Sequence, residues 1–344
     1  MNVYHLSHID LDGYGCQYLT SKCFDNIRFY NANYGAEIEA RIEEILLDIK
    51  EDSPKSPLIL ITDLNLTMQE CNNLERDASL LGARVVLLDH HISGEECANS
   101  FDWYHLDITK SATAITYEWL RENFEFDKSK EYQLLVQTIN AIDIWLSEDR
   151  LFEIGKVGLG MINGAREINR ILFPNEDREL KLFLIDSIKR YVDLENGHIK
   201  LDNNLHRLKK EFFKQSSKDD TKDNLVALFV SKLLSDSKDR LTIEYKGYKG
   251  LLGYNLGNSS ILGNRFLVDN PDYDFYMDIN YKGNFSLRSN NRVDVAKIAE
   301  EIGNGGGHKN ASGGKIKEYK DSFIYSDIKE FIQNYFKEIE TKGF

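Results

Sequence analysis

PLILITDLNLTMQECNNLERDASLLGARVVLLDHH, residues 57–91, reads as one strand–helix–strand unit. PLILIT (57–62) and RVVLLD (84–89) are apolar runs without alternation, the pattern of strands buried on both faces of a parallel sheet. Between them, MQECNNLERDASLLGA (68–83) has the spacing of a crossover helix that ends at Gly82. Asp63 follows the first strand, and Asp89-His90-His91 follows the second. In a doubly wound sheet the carboxyl ends of parallel strands are where ligands bind.

The same texture extends outward. VYHLS (3–7) is a short strand, and AEIEARIEEILLDIK (36–50) carries apolar residues at helical spacing. Helical patterns follow at 111–124, 131–146, 179–194 and 201–215, and the polar tract SSKDDTKDN (216–224) reads as a loop near a domain junction. Beyond it, RLTIEYKGY, DFYMDINYKG and NFSLRSNN suggest strands and a hairpin, VDVAKIAEEI (293–302) a helix, and GNGGGHKNASGG (303–314) a glycine-rich loop. The expected fold is α/β. A mostly parallel, doubly wound N-terminal domain (1–185) is joined by a helical connector (186–239) to a smaller α/β C-terminal domain (240–344).

The 344 residues exceed one ordinary core, and 42% apolar with 29% charged residues describes a globular chain. No apolar run reaches the roughly 18 residues of a membrane span, and the N-terminus lacks a signal-peptide pattern. Cys16, Cys23, Cys71 and Cys97 show no C-x-x-C spacing, so a reduced, cytoplasmic protein is expected. The net charge of −13 opposes a protein that coats long nucleic acid. It leaves room for a small phosphorylated ligand held by metal ions and a few local cations.

The acidic residues supply that metal site. His8, Asp10 and Asp12 in SHIDLDG sit at i, i+2 and i+4, roughly 6–7 Å apart along one side of an extended segment. With Asp63 and Asp89-His90-His91 they bring carboxylate and imidazole to three strand ends. Such a set suits a borderline divalent ion, Mn²⁺ first, with Mg²⁺ or Co²⁺ as substitutes. Asp10, Asp12, Asp63 and a fourth carboxylate would repel one another unless about two divalent cations neutralised them. Asp107 or Thr109 in HLDITKSAT reads as a helix N-cap. The plain alternative is that each acid is a strand-terminal turn residue. Gly13 and Gly15 are expected to let the chain turn into the next helix.

SHIDLDG, ITDLN, LLDHH and AID, in that order, resemble the motif series of the DHH phosphoesterases. The resemblance implies a two-metal site with His8, Asp10, Asp12, Asp63, His90 and Asp143 as ligands and Asp63 as the bridge, with Asp107 in HLDITKSAT competing for the place of Asp143. It implies that Asp89 orients a ligand and that His91 faces the scissile phosphate. FSLRSN and the GGGH loop resemble the DHH-associated C-terminal domain. There the resemblance assigns substrate contacts to Arg288, Gly306, Gly307 and His308, with Lys309, Asn310 and Ser312 behind them. By its residues alone the loop reads either as a backbone that aims N–H groups at an anion, with His308 and Lys309 as phosphate donors, or as a flexible turn, and Arg288 reads as a solvated strand arginine.

The implied reaction is hydrolysis of a phosphate ester by metal-activated hydroxide, with substrate held in a cleft between the domains. That cleft favours short ligands and, with the net charge of −13, a nano-RNase that cuts very short RNA to mononucleotides. Rival substrates are 3′-phosphoadenosine 5′-phosphate and cyclic-di-AMP or a linear dinucleotide. The non-enzyme rival is a nucleotide-binding regulatory protein. Neither long nucleic acid nor a membrane is an expected partner, and a homodimer is compatible with the sequence.

Overall fold

The computed structural model describes residues 1–126, 129–215 and 218–342. Two compact units appear: residues 1–165 with 178–208, and residues 166–177 with the chain from 209 onward.

In the first unit, β1 (Val3–Ser7), β2 (Ile27–Asn31), β3 (Leu58–Thr62), β4 (Arg84–Asp89) and β5 (Tyr104–Leu106) form one sheet. All neighbours are parallel, in the order β2-β1-β3-β4-β5. Helices α1 (Leu11–Cys23), α2 (Ala36–Asp52), α3 (Met68–Leu80) and α4 (Glu95–Ala98) connect the strands. After β5 come α5 (Ala112–Asn123), α6 (Ser129–Asp143) and α7 (Phe152–Asn163), then α8 (Pro174–Ile188) from residue 178 and α9 (Gly197–Lys214) to residue 208, the rest of these two helices belonging to the second unit. The strands are buried on both faces, as their unbroken apolar runs require. Tyr4, Leu6, Ile59, Ile61 and Leu87 pack with Ile42 and Ile45 of α2 and Leu74 of α3. Val3, Leu58, Leu60 and Leu88 turn to the other side, with Ile115 of α5. Each fully buried Leu or Ile is worth about 1.5–3 kcal/mol of transfer free energy. The strand order reverses direction between β1 and β3, which makes their carboxyl ends the crevice of the sheet.

The second unit contains α10 (Lys222–Asp236), α11 (Lys238–Leu241), β6 (Thr242–Tyr245), β7 (Tyr248–Tyr254), α12 (Ser259–Asp269), β8 (Phe275–Ile279) and β9 (Asn284–Ser289). It closes with α13 (Val295–Ile302), β10 (Gly306–His308), β11 (Ala311–Lys315) and α14 (Tyr325–Lys342). Its mixed sheet runs β10-β11-β9-β8-β7-β6, and β7 and β8 are its parallel pair. The α/β class and the parallel N-terminal sheet are as the sequence implied.

Three local expectations need correction. The glycine-rich segment 303–314 is not a loop throughout, because β10 and β11 pair as an antiparallel hairpin at the sheet edge. Backbone pairing needs no side chains, so glycine did not prevent it. Helix α10 begins at Lys222 with Thr221 as N-cap, inside the expected loop 216–224. The Ser216–Ser217 part of that loop lies outside the described residues. Helix α6 stops at Asp143 rather than running to residue 146. Trp145 adopts a left-handed φ of 58°, Leu146 N–H reaches Ala141 O, and Trp145 N–H reaches Ile142 O, closing the helix end.

Candidate metal centre

The end of β1 delivers His8, and Asp10 caps α1 by accepting from Gly13 N–H at 3.0 Å. Asp10 Oδ2 lies 2.9 Å from His8 Nδ1. Gly13 and Gly15 are not turn residues but helical ones. A Cβ on Gly13 would stand 2.4 Å from the His8 carbonyl oxygen, and one on Gly15 would stand 2.3 Å from Thr113 Oγ1. Gly13 lets α1 lie close to the His8 backbone, and Gly15 lets it lie close to the Thr113 and Ile139 side chains.

Asp12 is buried and tied to the start of α5. Its two oxygens accept from Ala112 N–H at 2.6 Å and Thr113 N–H at 2.8 Å. Ser111, rather than Asp107 or Thr109, is the N-cap of that helix. Asp107 instead accepts from Thr109 N–H and lies outside the three histidine–carboxylate clusters.

Asp63 follows β3 with φ 58°, a left-handed conformation that costs a non-glycine residue about 1–2 kcal/mol. That conformation turns its carboxylate between two histidines, with Oδ1 3.4 Å from His90 Nε2 and Oδ2 3.6 Å from His8 Nδ1. His90 Nδ1 in turn stands 3.6 Å from Asp143 Oδ2 at the last residue of α6. The ligand atoms of His8, Asp10 and Asp63 lie within 4.8 Å of one another; so do those of Asp12, His90 and Asp143, and those of Asp63, His90 and His91. Thus the expected ligands gather at one end of the sheet, with Asp63 common to two clusters.

A buried chain fixes the strands that carry them. His5 is fully buried, with Nδ1 2.9 Å from Thr20 Oγ1 and Nε2 2.8 Å from Thr62 Oγ1. Ser7 Oγ meets Thr62 Oγ1 at 2.7 Å and donates to Gly13 O. Ser7 and Thr62 immediately precede His8 and Asp63.

The electrostatics suit cations. Burial, then repulsion from Asp10, pushes Asp12 above the usual carboxylate range. Burial and then Asp10 and Asp12 push Asp63 well above it, and burial followed by Asp12 raises Asp143 to about 9. For Asp10, burial is outweighed by hydrogen bonds from His8 and Gly13, which hold it at about 2. Burial opposes a charge on His8, but Asp10 and Asp63 raise it to about 10. Asp63 Oδ2 and Asp143 Oδ2 are buried without a hydrogen-bond partner. Orphaned carboxylate oxygens among mutually repelling acids fit divalent ions, which would pair the lone pairs and offset the charge.

Behind the cluster, His91 Nδ1 donates to Asp89 Oδ1 at 2.7 Å. The other Asp89 oxygen accepts from Tyr104 Oη at 2.8 Å. His91 Nε2 lies 3.1 Å from Tyr34 Oη, and Asn33 Oδ1 lies 3.4 Å from His8 Nε2. The sequence reading missed Asn33, Tyr34 and Tyr104. Asn33 and Tyr34 stand beyond β2 in NANYG, where a strand end followed by glycine was the one available signal.

In the second unit, Arg288 pairs across with Ala311, and Ala311 with His308. Opposed residues of an antiparallel pair share a face, so Arg288 and His308 flank Ala311 in one row. Arg288 also donates to Leu287 O and Ser260 Oγ. Gly307 has φ 146°, and a Cβ there would stand 2.6 Å from Ala311 O. Gly306 has open space at its Cβ position, and Lys309 lies in the exposed turn. Asn310 exchanges amide hydrogen bonds with Asn291, and Ser312 donates to Val295 O, so both are engaged within the fold.

The chain is similar to known proteins. A DHHA1 domain model matches residues 272–341. The chain is 46% identical to a 3′,5′-cyclic-nucleotide phosphodiesterase of Helicobacter pylori (strain ATCC 700392 / 26695), over 98% of this chain and 99% of that one. The crystal structure of an uncharacterized protein from Helicobacter pylori G27 superposes with a TM-score of 0.91 at 45% identity, covering 98% of this chain and 99% of that one. The chain belongs to the DHH phosphoesterases. It is a hydrolase of that family, and among the described residues no helix is long and apolar enough to cross a membrane.

Proposed function

We propose that the protein is a phosphodiesterase for small nucleotides, with 3′,5′-cyclic nucleotides as its first substrates and two divalent ions, manganese foremost, at its centre. One observation carries the metal reading: the Asp63 carboxylate is set between His8 and His90, with its Oδ2 buried and unpartnered. His8, Asp10 and Asp63 would hold one ion, Asp12, His90 and Asp143 the other, and Asp63 would serve both. Ions bound there lower the pKa of a water and offset charge developing on the phosphoryl oxygens.

The protein's own groups then position the substrate. Asp89 fixes the His91 ring through Nδ1, and in the doubly protonated ring Nε2–H can then donate to an oxygen of the scissile phosphate. The chain through His5, Thr62 and Ser7 holds β1 and β3 in register beneath the ligands. The full-length likeness to a relative named for cyclic nucleotides supports that substrate.

Short oligoribonucleotides are the second reading, supported by the row of Arg288 and His308. A guanidinium and an imidazole on one sheet face suit a phosphate group. The net charge of −13 opposes long nucleic acid as a substrate.

One Mn²⁺ assay tests both. It compares cyclic AMP and cyclic GMP with oligoribonucleotides of two to about twenty nucleotides. 3′-Phosphoadenosine 5′-phosphate, cyclic-di-AMP and pyrophosphate complete the panel. Cyclic mononucleotides are expected to turn over fastest; faster cleavage of short RNA favours the second reading, and preference for pyrophosphate or long DNA contradicts both.

A further inference from the structure

We propose that Tyr34 is a catalytic residue of the metal centre, its phenol hydroxyl holding an oxygen of the scissile phosphate jointly with His91. The inference rests on the phosphodiesterase reading of that centre and adds a residue from outside the histidine–aspartate motifs.

Tyr34 lies between β2 and α2, on a segment fixed at both sides. Asn33 N–H donates to Glu37 Oε2 at 2.8 Å, and Glu37 is itself buried. Tyr34 N–H donates to Asn33 Oδ1 at 2.9 Å, and the same amide oxygen lies 3.4 Å from His8 Nε2. Gly35 follows with φ 90°, the left-handed conformation that glycine adopts without strain. The backbone of Tyr34 is therefore anchored to α2 and to the end of β1.

The side chain spans the two histidines that close β1 and β4. Its ring centroid is 5.0 Å from that of His8 and 5.8 Å from that of His91. Its hydroxyl stands 3.1 Å from His91 Nε2. The residue is 43% exposed, so the core accounts for only part of its surface. His91 Nδ1 is committed to Asp89, which leaves Nε2 as the ring's other polar atom. Any oxygen that engages His91 through Nε2 must arrive against the Tyr34 hydroxyl. A phenol offers one donor and an acceptor, so its O–H can donate to that oxygen, and a doubly protonated His91 ring would donate to the same oxygen through Nε2–H.

In the hydrolysis, the P–O bond to the leaving oxygen breaks and its electron pair departs with that oxygen. The oxygen of water forms the new P–O bond, and a proton of that water ends on the leaving group. Tyr34 keeps its own proton and acts as a hydrogen-bond donor only.

The test measures kcat and KM of Tyr34→Phe and Tyr34→Ala with Mn²⁺ on cyclic AMP and on bis(p-nitrophenyl) phosphate. Melting temperature and Mn²⁺ dependence are followed in parallel. Removing one donor to developing charge is expected to lower kcat roughly 100-fold in Tyr34→Phe, with KM, Mn²⁺ dependence and melting temperature close to wild type. Tyr34→Ala should be no worse than about threefold beyond Tyr34→Phe, since the hydroxyl is the working part. In a His91→Ala background, Tyr34→Phe should cost less than about threefold, because the two groups hold one oxygen. An active wild type with Tyr34→Phe within about twofold of it in kcat/KM overturns the proposal alone. A wild type inactive on both substrates overturns the phosphodiesterase reading and the proposal with it.

Discussion

Tyr104 donates its hydroxyl hydrogen to Asp89 Oδ2, while Asp89 Oδ1 takes the Nδ1 hydrogen of His91. A three-residue edge strand thus sets the orientation of an imidazole at the end of the neighbouring strand. Tyr104→Phe leaves one oxygen of a buried carboxylate without its donor. Such a loss costs about 1–3 kcal/mol of stability. Turnover is expected to fall about tenfold, as for other groups behind a metal site. Steady-state kinetics and a denaturant titration check both; unchanged turnover would show that His91 does not depend on the Tyr104 bond.

Metal should stabilise the fold as well as activate it. Saturating Mn²⁺ at about a hundred times its Kd is expected to add roughly 2.7 kcal/mol to unfolding free energy. Burial and the Asp12 neighbour oppose a charge on Asp143, so without metal the folded chain must take up a proton there, a cost that Asp143→Asn removes. The chelator-treated variant should therefore melt above chelator-treated wild type, while showing a smaller Mn²⁺-induced shift. Differential scanning fluorimetry with EDTA and with Mn²⁺ measures both; a chelated variant that melts below chelated wild type contradicts the charge argument.

His5 gives acid sensitivity a defined source. Burial, followed by the nearby Arg178 charge, lowers its pKa from 6.5 to about 3. Between those values the unfolded chain binds a proton that the folded chain does not, so stability falls as pH drops below 6.5. His5→Gln should remove that one-proton contribution, flattening the slope between pH 4 and 6 by about 1.4 kcal/mol per pH unit. Urea titrations at stepped pH read the slope, and an unchanged slope would assign the acid sensitivity elsewhere.

Arg288 separates the two substrate readings. Arg288→Ala is expected to raise KM for a trinucleotide about tenfold, with kcat little changed, because it removes binding rather than chemistry. Arg288→Lys should restore only part of the loss, since an ammonium lacks the planar fork. Cyclic AMP, with its single phosphate, should be affected less than about threefold. An equal effect on both substrates would remove Arg288 as the discriminator.

The parts of this molecule written in local patterns were readable from sequence. The unbroken apolar runs at 57–62 and 84–89 placed β3 and β4, and with them Asp63 and Asp89-His90-His91. The parts set by pairing between distant segments were not. The β10–β11 hairpin is nearly all glycine on one strand, and its order comes from β9 across the sheet. Gly13 and Gly15 looked like turn formers because the close approach of β1 and α5 is invisible along the chain. Helix α10 begins within a polar tract, where a threonine cap was hidden among charges. Tyr34 and Tyr104 carry no motif. The first matters through a position beyond β2, and the second through an edge strand of three residues.

The most direct test of the central claim is hydrolysis of cyclic AMP by wild type and Asp63→Asn, with bound metal counted after dialysis against Mn²⁺. The account expects about two ions per wild-type chain, a smaller number in the variant, and a rate lowered at least about 1,000-fold by the substitution. Undiminished hydrolysis by Asp63→Asn, or by wild type stripped of metal, would contradict it.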